Sequence, residues 1–135
     1  AMNPAFLNKL KFNSDGLIPA IIQERGTGRV LMMAWMNRES LLKTFETQKT
    51  CFWSRSRKIF WVKGETSGHI QRVVKVSFDC DGDVLLVEVE QVGAACHEGY
   101  KTCFFRDITP KGEITENSKR LVQPEKVYKK KSRKT

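Results

Sequence analysis

A single compact, mainly β domain bordering on α+β, made of antiparallel strands with one or two short helices, is the fold class this sequence predicts. Three observations carry that expectation. The runs 69–78 and 84–92 are rich in valine and have the β-branched composition of strands. Glycine-bearing turns punctuate the chain at short intervals, and only 38–48 spaces its apolar residues as a helix does. At 135 residues there is room for one hydrophobic core and not for a second full domain.

The elements follow in order. Residues 1–16 form an N-terminal segment ahead of the domain. The apolar runs 18–25 and 29–36 flank Gly26-Thr27-Gly28, which reads as a hairpin. Asn37 stops the second strand and can cap a helix over 38–48, where Leu41, Leu42 and Phe45 share one face. Strands at 50–54 and 59–63 are joined by the basic turn Arg55-Ser56-Arg57-Lys58, and a polar loop bounded by Gly64 and Gly68 follows. The strands 69–78 and 84–92 form a hairpin across Asp79-Cys80-Asp81-Gly82-Asp83, and 102–108 is expected as a last strand. The domain is therefore placed at 17–108.

The formal charge of +9 suggests nucleic acid until its distribution is counted. Residues 1–108 hold 15 Lys/Arg against 12 Asp/Glu, a net of +3, whereas 109–135 hold 9 against 3, a net of +6. Most of the excess sits in a C-terminal stretch with few large apolar residues, ending in the lysine-rich run 126–134. This basic extension, 109–135, is expected to be flexible or loosely docked, with solubility its simplest role. Nucleic acid is not the expected partner. The longest apolar stretch, 30–36, is too short to span a bilayer, and no signal peptide is apparent, so a soluble, cytoplasmic protein is expected.

In a reducing compartment four cysteines read as thiols or metal ligands rather than as a disulfide framework. Cys80, Cys96 and Cys103 lack the paired spacing of a zinc ribbon, but a set of three leaves the fourth position of a zinc ion open to water. His97 either completes a structural Cys₃His site or stands free as an acid/base group. Cys51, between apolar neighbours, reads as a core thiol. Hard carboxylates at Asp79, Asp81 and Asp83 suit Mg²⁺, and an extended backbone there would turn two carboxylates one way and the Cys80 thiol the other. A plain Asp-Gly hairpin turn with solvated acids fits that segment equally well. Arg55, Arg57, Lys63 and the 64–68 loop with Thr66 and Ser67 suit phosphate, although each is also an ordinary solvated surface group. Trp35, Trp53 and Trp61 can stack on a base or fill the core.

In their order along the chain, Trp53-Ser54-Arg55-Ser56-Arg57, Trp61 to His69, Asp79 to Asp83, and Gly93 to Cys103 with Thr102-Cys103-Phe104-Phe105 closely resemble the phosphoribosyl-AMP cyclohydrolase family over about 17–108. The resemblance implies hydrolysis of the N1–C6 bond of the adenine ring of phosphoribosyl-AMP, in histidine biosynthesis, by a zinc- and magnesium-dependent homodimer. It implies zinc on Cys80, Cys96 and Cys103, with Cys80 from one subunit and the other two from its partner. Magnesium would lie on Asp79, Asp81 and Asp83. His97, with His69 as second candidate, would move the proton, and Arg55, Arg57, Lys63, Thr66 and Ser67 would bind the phosphoribosyl ends. Two other classes fit parts of the chain: a zinc-stabilised nucleic-acid module, opposed by the acidic turn, and a nucleobase deaminase, whose His-x-Glu and Pro-Cys-x-x-Cys signature is missing.

Overall fold

Strand β1 (Leu17–Glu24) occupies an interior position because its side chains suit it: Ile18, Ala20 and Ile22 alternate onto one face and are wholly buried. The computed structural model describes residues 2–124, and the lysine-rich run 126–134 lies outside the described residues. The remaining strands are β2 (Val30–Asn37), β3 (Cys51–Ser54), β4 (Ile59–Val62), β5 (Gln71–Phe78), β6 (Leu85–Gln91), β7 (Arg106–Ile108) and β8 (Ile114–Glu116). Among the described residues, the helical elements are a 3-10 turn at Pro4–Lys9 and helix α1 (Arg38–Thr47). No described helix is long and apolar enough to cross a membrane.

The main sheet has the order β2-β1-β6-β5. The three expected hairpins, β1–β2, β3–β4 and β5–β6, are all present and antiparallel. One pairing departs from the expectation: β6 lies parallel to β1, from Ala20 opposite Leu85 to Glu24 opposite Val89. Turn signals report only on strands adjacent in sequence. The direction of β6 is decided by where the long crossover through α1, β3 and β4 delivers it.

Helix α1 begins where Asn37 was expected to cap it. The Asn37 carboxamide accepts from the Ser40 amide at 2.8 Å, and the Ser40 hydroxyl accepts from the Asn37 amide at 2.9 Å. Leu41 enters the core completely, with Leu42 and Phe45 packed beside it. The β3–β4 hairpin forms a sheet of its own and is tied to the main one through the buried side chain of Gln71. Thr50 Oγ1 donates to Gln71 Oε1 at 2.8 Å, and Gln71 Nε2 donates to Gln91 Oε1 at 2.8 Å. Thr50, Gln71 and the start of β5 are thereby fixed to the end of β6.

The last expected strand is shorter than 102–108. Thr102 Oγ1 donates to the Val30 carbonyl at 2.8 Å, and the Cys103 amide donates to the Leu31 carbonyl at 2.7 Å, so this stretch is pinned to β2 instead of extending as a strand. Strand β7 starts only at Arg106. The expectation of a flexible or loosely docked stretch after 108 is corrected for 109–124: β8 pairs with β7, Asn117 donates to the Phe105 carbonyl at 2.8 Å, and Leu121 to that of Gly99 at 2.8 Å. Composition misleads here because hydrogen bonds, not apolar burial, hold the segment. Gly99 is required at this contact, since a Cβ on it would lie 2.1 Å from the Val122 carbonyl oxygen.

The sheet thus has two distinct ends. At one, the turn 79–84 sits beside the N-terminal segment, where Lys11 donates to the Gly82 carbonyl at 2.7 Å. At the other, Lys101 Nζ lies 2.5 Å from Glu24 Oε2 and draws the loop after β6 onto β1. Burial acts to raise the Glu24 carboxyl, but hydrogen bonds from Lys101 and Thr27 and the charges of Lys101 and Arg29 outweigh it, leaving the group below its ordinary value.

Two stability measurements follow from these contacts. Gln71→Ala leaves the Thr50 hydroxyl and the Gln91 carboxamide short of buried partners, and urea unfolding is expected to show a loss of about 2 kcal/mol. A depressed carboxyl stabilises above its unfolded pKa and loses that contribution as pH falls through the folded value. Glu24→Gln is therefore expected to cost about 1 kcal/mol at neutral pH, with the two unfolding curves converging in acid.

Candidate functional site

A cleft of about 450 Å³ opens between β4 with the loop after it and the loop 94–103. Arg57, Lys63, Thr66 and Ser67, four of the expected substrate residues, line it together with His97 and Cys103. The loop curls because Gly64, at φ +82°, lies so close to the next strand that a Cβ there would meet the His69 carbonyl carbon at 2.4 Å. Gly68 donates to the Gly64 carbonyl at 2.7 Å and closes the curl, bringing the Thr66 and Ser67 hydroxyls to the cleft wall. Arg55 is placed elsewhere. Its guanidinium stacks 4.8 Å from the Trp35 ring centroid and borders a second cleft with Asp15 and Lys58. His69 also lies outside the cleft lining, packed so tightly on Gly93 that a Cβ there would fall 2.6 Å from its ring. Of the two candidate histidines, only His97 is exposed in the cleft.

The loop 94–103 is a small closed unit. Ala95 donates to the Lys101 carbonyl and Cys96 to that of Tyr100, each at 3.0 Å, which folds the buried Cys96 thiol back against the thiol of Cys103. Lys63 reaches across from β4 and donates its ammonium to the Ala95 carbonyl. Burial pushes that ammonium below its ordinary pKa, while the negative charges of Cys103 and Cys96 act in the opposite sense. Cys103 presents surface to solvent, yet its sulfur is enclosed on the protein side; burial first, then the charge of Cys96, push the thiol up to about 12 against the pull of Lys63. A cation on these two sulfurs would reverse that balance, and paired thiols with an adjoining open cleft fit a soft metal such as zinc. Cys51, by contrast, is buried in the core as expected.

The three aspartates do converge. Ligand oxygens of Asp79, Asp81 and Asp83 lie within 4.8 Å of one another, all exposed. The cause differs from the extended backbone expected, since Gly82 donates to the Asp79 carbonyl at 3.0 Å and makes 79–82 a tight turn. Asp79 Oδ1 accepts from the Asp83 and Val84 amides at 3.0 and 3.2 Å. Slight burial opposes those hydrogen bonds, but they prevail and hold Asp79 below its usual range. Asp83 is raised by its side-chain contact with Asp79, with slight burial and the charges of Asp79 and Asp81 adding to the rise. Crowded hard oxygens of this kind fit a divalent cation such as Mg²⁺.

Cys80 sits in this acidic turn, at the opposite end of the sheet from Cys96 and Cys103. Strand β6 alone (Leu85–Gln91) separates the two ends by about 20 Å. Among the described residues, the three thiols of one chain do not meet. Sequence reasoning did not single out Thr102, Glu24 or Lys101, which hold the loop 94–103 in place, because no local pattern marks a residue whose partner lies on a distant strand. It also did not see that Lys63 would face the thiols.

A thiol pair, an imidazole, a guanidinium and two hydroxyls around one cleft, with a carboxylate cluster at the far end of a small β domain, are the equipment of a hydrolytic enzyme acting on an anionic small molecule. The family model for phosphoribosyl-AMP cyclohydrolase matches residues 32–105. A phosphoribosyl-AMP cyclohydrolase from Pelotomaculum thermopropionicum is 58% identical over 125 residues, 93% of this chain and 97% of its own length. Those from Chlorobium phaeovibrioides and Chlorobium chlorochromatii are 51% and 55% identical, over 96% and 93% of this chain and 95% and 92% of their own lengths. The chain belongs to the phosphoribosyl-AMP cyclohydrolase family, hydrolases of histidine biosynthesis that open a cyclic amidine C–N bond. Alignments this long necessarily run beyond Ile108, so the stretch after it is shared with these relatives.

The thiols are expected to differ in reactivity before any metal is added. With its thiol pushed up to about 12, Cys103 is almost wholly protonated at pH 8. Mass spectrometry after brief iodoacetamide treatment of metal-stripped protein is expected to find the exposed Cys80 alkylated at least about tenfold faster than Cys103. Lys63→Met, by removing the charge that opposes the rise, slows Cys103 further.

Proposed function

We propose that this chain hydrolyses the N1–C6 bond of phosphoribosyl-AMP to the phosphoribosylformimino-aminoimidazole-carboxamide ribotide, a cytoplasmic step of histidine biosynthesis. It works as a homodimer with one zinc and one Mg²⁺ per subunit. The observation that carries this reading is the cleft that brings Arg57, Thr66 and Ser67 to within one small volume of His97 and Cys103. Cys96 and Cys103 would hold zinc together with Cys80 of the partner subunit, and Asp79, Asp81 and Asp83 would hold Mg²⁺. The separation of the two sheet ends supports sharing, because a second copy is the simplest source of the third thiol. Zinc supplies a water acidic enough to ionise near neutral pH, and Mg²⁺ a counter-charge for phosphate.

The chain's own residues do the rest. Arg57 offers its guanidinium fork, and Thr66 and Ser67 their hydroxyls, to the phosphate oxygens. Lys63 balances thiolate charge instead of binding phosphate, since its ammonium is already engaged at Ala95. Arg55 faces another cleft of the same copy, so the phosphate contact within this cleft falls to Arg57. His97 takes the proton from the attacking water and returns it to N1 as the N1–C6 bond breaks, which leaves C6 as a carboxamide with its exocyclic nitrogen retained. His69, outside the cleft of its own copy, stays the second candidate.

Turnover of phosphoribosyl-AMP, followed by ultraviolet absorbance, is expected to stop on removal of zinc with a strong chelator, to return on its re-addition, and to release no ammonia. Ammonia release would replace this reading with deamination. Arg57→Ala is expected to raise KM about tenfold with a smaller change in kcat, and an unchanged KM removes Arg57 from the phosphate site. Cys80→Ser and Cys96→Ser are each expected to be inactive, yet their mixture should recover about a quarter of native activity, because half the dimers are mixed and each mixed dimer has one whole site. Failure of the mixture to recover activity, with subunit exchange shown by mass spectrometry, would overturn the sharing of the thiols between subunits.

A further inference from the structure

Among the described residues, strands β7 and β8 form a two-stranded arm paired with no other sheet. Its Ile108 and Ile114 stand directly opposite each other and are 76% and 72% exposed, a cross-strand apolar pair turned to water. Two-stranded ribbons are marginal alone, and this one leaves its best apolar contact uncovered. The opposite end of the sheet has the complementary defect. There an apolar groove of about 280 Å³ lies between the N-terminal turn, α1 and the ends of β5 and β6, lined by Phe6, Phe45, Val76 and a half-exposed Phe78. The arm cannot reach the groove of its own chain, because its root is bonded to the far end: Arg29 donates to Ser118 Oγ at 2.6 Å, and Asn117 to the Phe104 carbonyl at 3.0 Å.

We propose that the arm of each copy docks Ile108 and Ile114 into this groove on a second copy. The inference rests on the shared-thiol reading above, and chain connectivity links the two. Ile108 follows Cys103 by five residues, at most about 17 Å of chain, and Phe78 precedes Cys80 by two, at most about 7 Å. When Cys103 of one copy and Cys80 of the other approach one metal, the exposed isoleucines and the open groove each lie within those lengths of chain from it. A two-fold axis makes the contact twice, once in each direction. The arm thus clamps the partner's acidic turn against the thiol pair and covers both apolar defects at once.

The test uses the full chain with zinc and Mg²⁺. Sedimentation equilibrium of the double variant Ile108→Lys, Ile114→Lys, whose sites are exposed and leave the core intact, is expected to show a dimer dissociation constant raised at least about tenfold. A benzophenone amino acid placed at 108 is expected, on irradiation, to cross-link two chains at 6–10, 41–45 or 76–85, as read by mass spectrometry. An unchanged dissociation constant, or cross-links confined to one chain or to other segments, overturns the arm contact. If that occurs while mixed Cys80→Ser and Cys96→Ser protein still recovers activity, the shared site stands and only the arm is wrong. If the native chain is monomeric throughout and the mixture stays inactive, both fall together.

Discussion

The ammonium of Lys63 is the contact on which the site depends. It leaves β4, crosses to the Ala95 carbonyl and lies against the thiols of Cys96 and Cys103, so one side chain joins the two walls of the cleft. Burial lowers the pKa of this ammonium, and any negative charge on the neighbouring sulfurs acts in the opposite sense. The Ala95 carbonyl accepts from the buried ammonium, so the lysine turns inward with a hydrogen-bond partner in place of solvent.

Around that contact the framework is assembled from hydrogen bonds that cross between sheets. Gln71 joins the β3–β4 hairpin to β5 and β6, Thr102 fastens the loop 94–103 to β2, and the Lys101–Glu24 pair closes the same loop onto β1. All three are satisfied polar contacts, two of them buried, in a domain whose apolar core is concentrated on one face of the main sheet. No described buried side-chain nitrogen or oxygen lacks a partner, so these polar cross-ties add specificity without leaving a buried group unpaired.

Rigidity also explains why the acidic turn and the thiol pair stay apart within one chain. A hairpin as long as β5–β6 holds its two ends apart, and the register from Gln71–Gln91 to Phe78–Leu85 leaves no slack through which the acidic turn could fold back.

Much of this was legible in the residues. The β1–β2 hairpin followed from Gly26 and Gly28, the start of α1 from Asn37, and the convergence of Asp79, Asp81 and Asp83 from their spacing around Gly82, because each is a local steric or capping effect acting over a few residues. The ordered motifs from Trp53 to Phe105 pointed to the family for the same reason, since side-chain chemistry is carried residue by residue. What local pattern could not supply was anything set by distance. The parallel pairing of β1 with β6, the divergence of Arg55 from Arg57, the exclusion of His69 from the cleft and the turning of Lys63 toward the thiols all depend on where the crossover delivers each strand. The sequence by itself determined which ligands and turns exist; only the tertiary structure decided which of them meet, because meeting is settled by sheet order and strand length rather than by neighbours in the chain.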